Sequence, residues 1–202
     1  MEINFIFLIA VLIISVMAHE IAHGAVAYYF GDPTAKNQGR LTLNPLKHID
    51  MFGSIILPAL LYYSTHGGFL FGWAKPVPYN PYNLRNRRLG EFCISIAGII
   101  TNFLIAIIFS FFIRFAMVWN LSQPVIDLLV YIIKLNITLG VFNLFPIPPL
   151  DGSKILFSLV PYQYESQLRN LEKYGMYILI ILVVFFSWII GDIVNWVFRL
   201  IV

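Results

Sequence analysis

Long apolar runs separated by short polar loops make up most of the chain. Four runs reach the length of about 20 residues that a membrane-spanning helix needs; they are residues 3–30, 92–119, 125–145 and 174–198. The first three end at sequences that break helices, which are GDP, NLSQP and PIPP. This pattern predicts an all-α, multi-pass membrane protein with four transmembrane helices.

Other stretches predict smaller elements at the membrane face. The apolar run 51–63 has only 13 residues and contains Pro58, which favours a re-entrant segment over a crossing. Residues 39–45 alternate polar and apolar side chains, and residues 69–83 hold too many prolines for a helix. We therefore expect a small β-hairpin or sheet at the cytosolic membrane face, and one domain over residues 1–202.

Composition and charge support a membrane protein with a defined orientation. The chain is 59% hydrophobic and 11% charged, whereas soluble domains are about 25% charged. Ten Lys and Arg residues lie in loops 31–50, 64–91 and 146–173, and none lies in loop 119–124. Four spans place the three basic loops on one side, which the positive-inside rule makes cytosolic. These cations are a topology signal, so no nucleic-acid partner is expected.

The first apolar run contains the sequence His-Glu-Ile-Ala-His at residues 19–23. His19 and His23 are four residues apart and share one helix face, so both can bind one zinc ion. Glu20 lies about 100° around the helix and can reach a water on the open side of the metal as a general base. Polar groups are costly in an apolar span, so the motif indicates metal-assisted hydrolysis. The alternative is a metal-free polar cluster or a proton relay.

A third metal ligand is expected where prolines break the third span. Asp151 follows the sequence PIPPL, near the depth at which the first span holds its histidines. Irregular backbone at membrane depth is tolerated where it lines a buried or wet cavity, which favours Asp151 as a ligand. Lys154 is expected to face lipid headgroups, and Asp32 to stabilise a turn. The alternative ligands lie in predicted loops: His48, His66 and Asp50.

Three segments in order resemble the site-2 protease family, the intramembrane zinc metalloproteases. They are HEIAH at 19–23, SIAGIITNFLIA at 95–106 and FNLFPIPPLDG at 142–152. GWAKPVPYNP at 72–81 resembles the compact branch of that family, which has no PDZ domain. The resemblance covers nearly the whole chain. It implies a zinc endopeptidase that cuts peptide bonds in or near transmembrane segments, as in regulated intramembrane proteolysis.

The resemblance also implies roles for individual residues. One zinc ion per chain would have three protein ligands, namely His19, His23 and Asp151. Glu20 would be the catalytic base, while Asn102 and Asn143 would hydrogen-bond the substrate backbone or the oxyanion. The alternative role of the asparagines is interhelical hydrogen bonding, and the spacing of Gly98 and Asn102 also fits close helix packing.

The expected partners are transmembrane-helix substrates and the lipid bilayer, and a second copy of the chain or a regulatory membrane protein is a further candidate. The expected location is the plasma membrane of a prokaryote, with the active site toward the cytosol. The main alternative function is a metal or proton transporter, which would need polar residues along several spans. A protease of prenylated tails and an inactive scaffold are further alternatives.

Overall fold

The computed structural model describes residues 5–66, 73, 75–116 and 118–202. Seven α-helices lie in this part of the chain: α1 (Phe5–Tyr29), α2 (Thr34–Asn37), α3 (Leu57–Ser64), α4 (Arg87–Arg114), α5 (Gln123–Leu144), α6 (Asp151–Leu159) and α7 (Glu165–Ile201). Helices α1, α4 and α5 and residues 171–201 of α7 are long and apolar enough to cross a membrane. The prediction of four spans in a multi-pass helical protein is therefore confirmed.

Polar residues set the ends of the long helices. Helix α4 begins five residues before the predicted span because the Asn86 side chain accepts the backbone N–H of Leu89 and caps the helix. Helix α5 has Pro124 in its first turn and ends two residues before Pro146, which cannot continue a helix. Apolar runs thus locate the helices, and caps and prolines decide where they start and stop.

Helices α4, α5 and α7 share an apolar core. Its fully or nearly fully buried members are Ala106, Ile133, Ile137, Val141, Ile190 and Val194. The outer faces of the same helices expose large apolar side chains, such as Phe111 on α4 and Trp188 on α7. Exposed apolar surface on spans of this length is the surface that lipid contacts, so close packing of the inner faces holds the helices together.

A buried polar contact joins α1 to α5. The Asn136 side-chain amide donates to Ser15 Oγ at 3.0 Å, and both side chains are buried. Such interhelical hydrogen bonds contribute about 0.6 kcal/mol on average in membrane proteins. Ser15 lies one helical turn before His19, so this contact fixes the side of α1 that faces the interior.

The predicted re-entrant segment returns to the loops from which it starts. A π-helical turn, Met51–Ile56, leads into α3. Backbone hydrogen bonds then join the outgoing and returning chain, because Trp73 N–H donates to the Gly53 carbonyl at 3.0 Å and Lys75 N–H donates to the His48 carbonyl at 2.8 Å. The chain before and after the segment therefore lies at one level, while Tyr62 and Tyr63 near the end of α3 contact Phe5 at the start of α1.

The predicted β-hairpin is wrong for the residues that the structure describes, which contain no strand. Residues 39–44 form a turn and bends, and Pro45–Lys47 form a 3-10 turn. Residues 75–80 pair with no strand because Pro76 and Pro78 lack an N–H, and the N–H of Val77 donates to a carboxylate. Residues 69–72 and 74 of the predicted hairpin lie outside the described residues.

The three basic loops meet at one end of the bundle. The N–H of Arg85 donates to the Phe30 carbonyl at 3.0 Å, which joins the chain after α1 to the chain before α4. The Arg88 guanidinium donates to the Val160 carbonyl at 2.9 Å, which brings the end of α6 to the same place. This arrangement agrees with the loop charges, which require all three loops on one side.

Candidate metal centre

Two imidazoles and one carboxylate converge between α1 and the start of α6. Asp151 Oδ2 lies 3.0 Å from His19 Nε2 and 3.1 Å from His23 Nε2. The two Nε2 atoms are 2.9 Å apart, and all three side chains are buried. Among residues 5–66, 73, 75–116 and 118–202, these are the only three His, Cys, Asp or Glu residues whose ligand atoms lie within 4.8 Å of one another.

The protonation of His23 shows why this cluster fits a cation. His23 Nδ1 lies 2.6 Å from the Ile94 carbonyl oxygen, and a carbonyl only accepts, so Nδ1 carries the proton. Its Nε2 lone pair therefore faces His19 and the Asp151 carboxylate. Lone pairs this close in a buried site repel each other unless a cation or proton lies among them. Ligand atoms of tetrahedral zinc lie about 3.3 Å apart, close to the observed spacing.

A glycine of α4 makes room for the first ligand. A Cβ atom placed on Gly98 would lie 2.5 Å from His19 Cε1, closer than side-chain atoms approach each other. The imidazole of His19 therefore packs directly on the α4 backbone. The small residue that the sequence predicted to allow close helix packing leaves room here for the His19 imidazole.

The chain after α5 places Asp151 at the first position of α6. Three prolines between 146 and 149 prevent α5 from continuing. The start of α6 then packs against the end of α5, because a Cβ atom on Gly152 would lie 2.3 Å from the Leu144 carbonyl oxygen. Residue 152 is therefore a glycine because any side chain there would collide with the backbone at the end of α5.

Lys154 contacts the ligand carboxylate. Its Nζ lies 3.7 Å from Asp151 Oδ1, and its side chain is 44% exposed. Lys154 was expected to face lipid headgroups, and the structure adds this contact with Asp151, because one helical turn brings residue 154 back over residue 151. The two carboxylate oxygens consequently face different groups: Oδ1 faces the ammonium and Oδ2 faces the imidazoles.

Glu20 is held by a backbone donor from the segment after the re-entrant turn. The N–H of Val77 donates to Glu20 Oε2 at 2.7 Å. Pro76 and Pro78 have no N–H, so Val77 provides the only backbone donor of this three-residue stretch. This contact was not predicted from the sequence, although the sequence KPVP, with one N–H between two prolines, is a signal that could have suggested it.

A cavity of about 360 Å³ opens beside His19 and Glu20, and His19 in turn contacts His23 and Asp151. His19 and Glu20 form part of its wall, Asn102 and Asn143 form another part, and most of the remaining wall is apolar and comes from α5, α7 and residues near Asp151. The structure therefore brings all six residues of the predicted site to one place. The roles of these residues in a reaction remain predictions.

The two asparagines differ in their hydrogen bonding. Asn102 is fully buried, and neither atom of its amide group has a hydrogen-bond partner in the described part of the chain. Asn143 Nδ2 donates to the Leu139 carbonyl of its own helix at 3.0 Å. An unpaired buried amide is rare in native proteins, and Asn102 lies in the wall of the cavity. Neither residue makes the interhelical hydrogen bond that was the alternative.

The alternative ligands lie elsewhere. His48 Nε2 lies 2.9 Å from the Thr42 carbonyl oxygen, and Asp50 caps the π-helical turn by accepting the N–H of Gly53 at 2.7 Å. His66 lies in the turn after α3 with a φ of 52°. None of them belongs to the metal-ligand cluster.

A multi-pass membrane protein with a two-histidine, one-carboxylate metal centre and an adjacent glutamate has the features of a membrane-bound metallohydrolase. A family model supports this class: the model of peptidase family M50 matches residues 7–120 and 116–186. The chain belongs to peptidase family M50, the site-2 protease family.

Three relatives share the name "Putative zinc metalloprotease". YwhC of Bacillus subtilis (strain 168) is 39% identical over 196 residues, which cover 94% of this chain and 84% of YwhC. Rip2 of Mycolicibacterium smegmatis is 30% identical over 89% of this chain and 67% of its own length. Rip2 of Mycobacterium tuberculosis H37Rv is 29% identical over 97% of this chain and 74% of its own. No solved structure matches the chain.

Proposed function

We propose that this protein is an intramembrane zinc endopeptidase that hydrolyses peptide bonds in or near transmembrane segments of membrane proteins, as in regulated intramembrane proteolysis. One observation carries the proposal: His19, a member of the three-residue metal-ligand cluster, and Glu20 line a largely apolar cavity among helices long enough to span a membrane. A cavity of this kind fits an apolar peptide segment better than a polar segment of a soluble protein.

His19, His23 and Asp151 would hold one zinc ion per chain. The bound ion would supply Lewis-acid chemistry, which polarises a peptide carbonyl and lowers the pKa of water. The Ile94 carbonyl, 2.6 Å from His23 Nδ1, keeps the proton of His23 on the nitrogen that faces away from the site. This contact leaves Nε2 free to coordinate.

Glu20 would act as the general base and later as the acid. Its Oε2 accepts the Val77 N–H, so the carboxylate is held in one orientation. Its Oε1 accepts no hydrogen bond among the described residues and is available to take a proton from the attacking water. The same carboxyl group can then donate that proton to the leaving amine. A positioned acid–base group of this kind contributes roughly 10²–10⁴-fold to the rate.

Asn102 and Asn143 would orient the substrate. Each unpaired polar atom in a buried site costs about 1–3 kcal/mol, and the amide group of Asn102 lacks partners for both of its polar atoms. A substrate backbone carbonyl or the oxyanion would accept from Asn102 Nδ2 and recover part of this free energy. Asn143 lines the same cavity and would contact the same peptide segment.

Cleavage of a transmembrane peptide in proteoliposomes tests the proposal. Glu20→Gln keeps the side-chain shape but cannot accept a proton, so we expect a loss of at least about 100-fold in cleavage rate with zinc still near one per chain. Asp127→Asn, on the exposed side of α5, is the control and should cleave normally. Near wild-type cleavage by Glu20→Gln, or full activity of protein that contains no metal, would contradict the proposal.

The cellular setting follows from the same proposal. The relatives with matching names come from bacteria, which supports the plasma membrane of a prokaryote as the location. The charge of the loops supports an active site toward the cytosol. A regulatory membrane protein or a second copy of the chain would then control access to the cavity.

A further inference from the structure

A recess of about 540 Å³ lies among the loops, outside the cavity at the metal centre. Three of its eight lining residues are cations, namely Arg40, Lys47 and Lys75, and none is acidic. We call this site the basic recess. Its wall combines the loop after α2 with the chain that returns from the re-entrant segment.

The charge of Arg40 has no acidic partner. The side chain is buried, and its guanidinium donates to the carbonyl oxygens of Lys47, Lys75 and Pro76. All three acceptors are neutral, and no carboxylate forms an ion pair with Arg40 among the described residues. Buried charges are usually paired, so the wall of the recess carries a positive charge that an anion would neutralise.

Two exposed lysines extend this positive charge toward the solvent. Lys47 and Lys75 both line the recess, and their ammonium groups have no hydrogen bond or ion pair within the part of the chain that the structure describes. An ammonium group binds a phosphate as a point charge, without fixed geometry. Two such groups beside a buried guanidinium suit a phosphate or phosphodiester.

Exposed apolar residues next to the recess indicate which anion binds. Leu43 and Leu46, on the same loop, are 77% and 76% exposed, and the re-entrant segment begins with Met51 and Phe52, which are 68% and 54% exposed. Cations beside exposed apolar side chains are typical of a surface at the lipid headgroup level. A free phosphate ion would use the cations but would leave these apolar residues in water.

We propose that the basic recess binds the phosphate of an anionic phospholipid, with Leu43 and Leu46 in contact with its acyl chains. The site also adjoins the catalytic region, because Pro76 and Pro78 line the recess while Val77, between them, holds Glu20. A bound lipid would therefore stabilise the segment that positions Glu20.

Lipid binding can be measured without any assay of proteolysis. The full chain in detergent micelles is titrated with phosphatidylglycerol or phosphatidylcholine, and bound lipid is counted by native mass spectrometry. We expect phosphatidylglycerol to bind more tightly than phosphatidylcholine. The double variant Lys47→Gln/Lys75→Gln should lose about tenfold in affinity for phosphatidylglycerol, because each lysine near an anionic headgroup contributes several-fold.

The matched control is Lys36→Gln/Lys173→Gln, which removes the same charge from exposed lysines outside the recess and should change the affinity less than twofold. Arg40 is left intact because it holds three loop carbonyls. If the double variant fails to fold, Lys47→Gln and Lys75→Gln singly should each lose about threefold.

Three results would overturn the proposal. The first is equal affinity for the two lipids, and the second is an equal loss of affinity in the control. The third is that inorganic phosphate displaces phosphatidylglycerol at equal concentration while Leu43→Ser/Leu46→Ser leaves lipid binding unchanged. That result would assign the recess to a free anion. None of these results bears on whether the metal centre cleaves peptides.

Discussion

Gly98 illustrates how one residue without a side chain can determine a metal site. The His19 imidazole occupies the volume that a Cβ atom at position 98 would need, since the distance to Cε1 would be 2.5 Å. The backbone on the other side of the contact belongs to a long helix and cannot shift alone. A methyl group at position 98 must therefore displace the imidazole from its place beside His23 and Asp151.

For Gly98→Ala we expect zinc affinity to fall by about tenfold or more, as for other disturbances next to a metal ligand. Competition with a chelator, followed by metal analysis of the protein, measures this change. Gly191→Ala on α7 is the matched control, because no atom lies within 4 Å of a Cβ atom placed there. Equal zinc retention in the two variants would show that His19 tolerates displacement or is not a ligand.

Asp151 is the proposed ligand that only the fold brings to the histidines. We expect Asp151→Ala to weaken zinc binding at least about tenfold, and Asp151→Asn to bind zinc weakly and fail to cleave. Metal content and peptide cleavage are measured on the same preparation, with Asp127→Ala as the control that changes neither. Full zinc content and full activity in Asp151→Ala would mean that another residue completes the site.

Individual residues could be predicted where local spacing decides the chemistry. His19 and His23 follow from a separation of four on one helix, and Asp151 follows from prolines that break a span. The contacts of Gly98 with His19 and of Val77 with Glu20 could not be predicted in this way. They join residues 79 and 57 positions apart, so they depend on how the helices pack.

At the scale of elements, Asp32 joins the loop after α1 to the loop before α4. It is fully buried and accepts hydrogen bonds from the N–H and hydroxyl of Thr34, the N–H of Asn80 and the side chain of Asn83. Burial alone would raise the pKa of this carboxyl, but the hydrogen bonds outweigh burial and hold the pKa below its ordinary value. The ionised form therefore stabilises the fold.

Asp32→Ala should lower the free energy of unfolding by about 2–4 kcal/mol, because several buried donors lose their acceptor. Because the pKa is lower in the folded protein, the stabilisation is complete above about pH 4, the ordinary aspartate pKa. It is lost as the pH falls through the folded value. Thermal unfolding in detergent from pH 7 downward measures both effects.

The Asp32→Ala variant should lack the acid-dependent part of this profile. Asp127→Ala removes an exposed carboxylate and should leave both the stability near pH 7 and its loss in acid unchanged. If Asp32→Ala and the wild type unfold at the same temperature at pH 7, the hydrogen bonds by which Asp32 joins the two loops do not stabilise the fold.

Elements were predicted well where one physical effect dominates. Apolar runs of about 20 residues located all four spans, but not the start of α4, which Asn86 sets by capping. The hairpin prediction failed because its two signals argue against a helix but do not require a strand. These signals are the alternation of polar and apolar side chains at residues 39–45 and the prolines at 76 and 78. Pairing of strands needs N–H groups in register, and the prolines remove them.

At the scale of the whole molecule, the three basic loops share one end, and the charges predict that this end is cytosolic. Single cysteines in a Cys93→Ser background test the orientation. Lys36→Cys and Arg85→Cys should react only from the cytosolic side, and Gln123→Cys, at the start of α5, only from outside. Reaction of Arg85→Cys from outside would mean that the segment through α3 crosses the membrane.

Because its proposed ligands lie on α1 and α6, one zinc ion would close a loop between His19 and Asp151, which are 132 positions apart in the chain. Such an ion acts as a reversible cross-link, and the conformational entropy that it removes from the unfolded chain grows only slowly with loop length. The stabilisation is set by mass action and amounts to about 2.7 kcal/mol when free zinc exceeds the dissociation constant by 100-fold. Chelation should therefore reduce the lifetime of the protein in the cell as well as its activity.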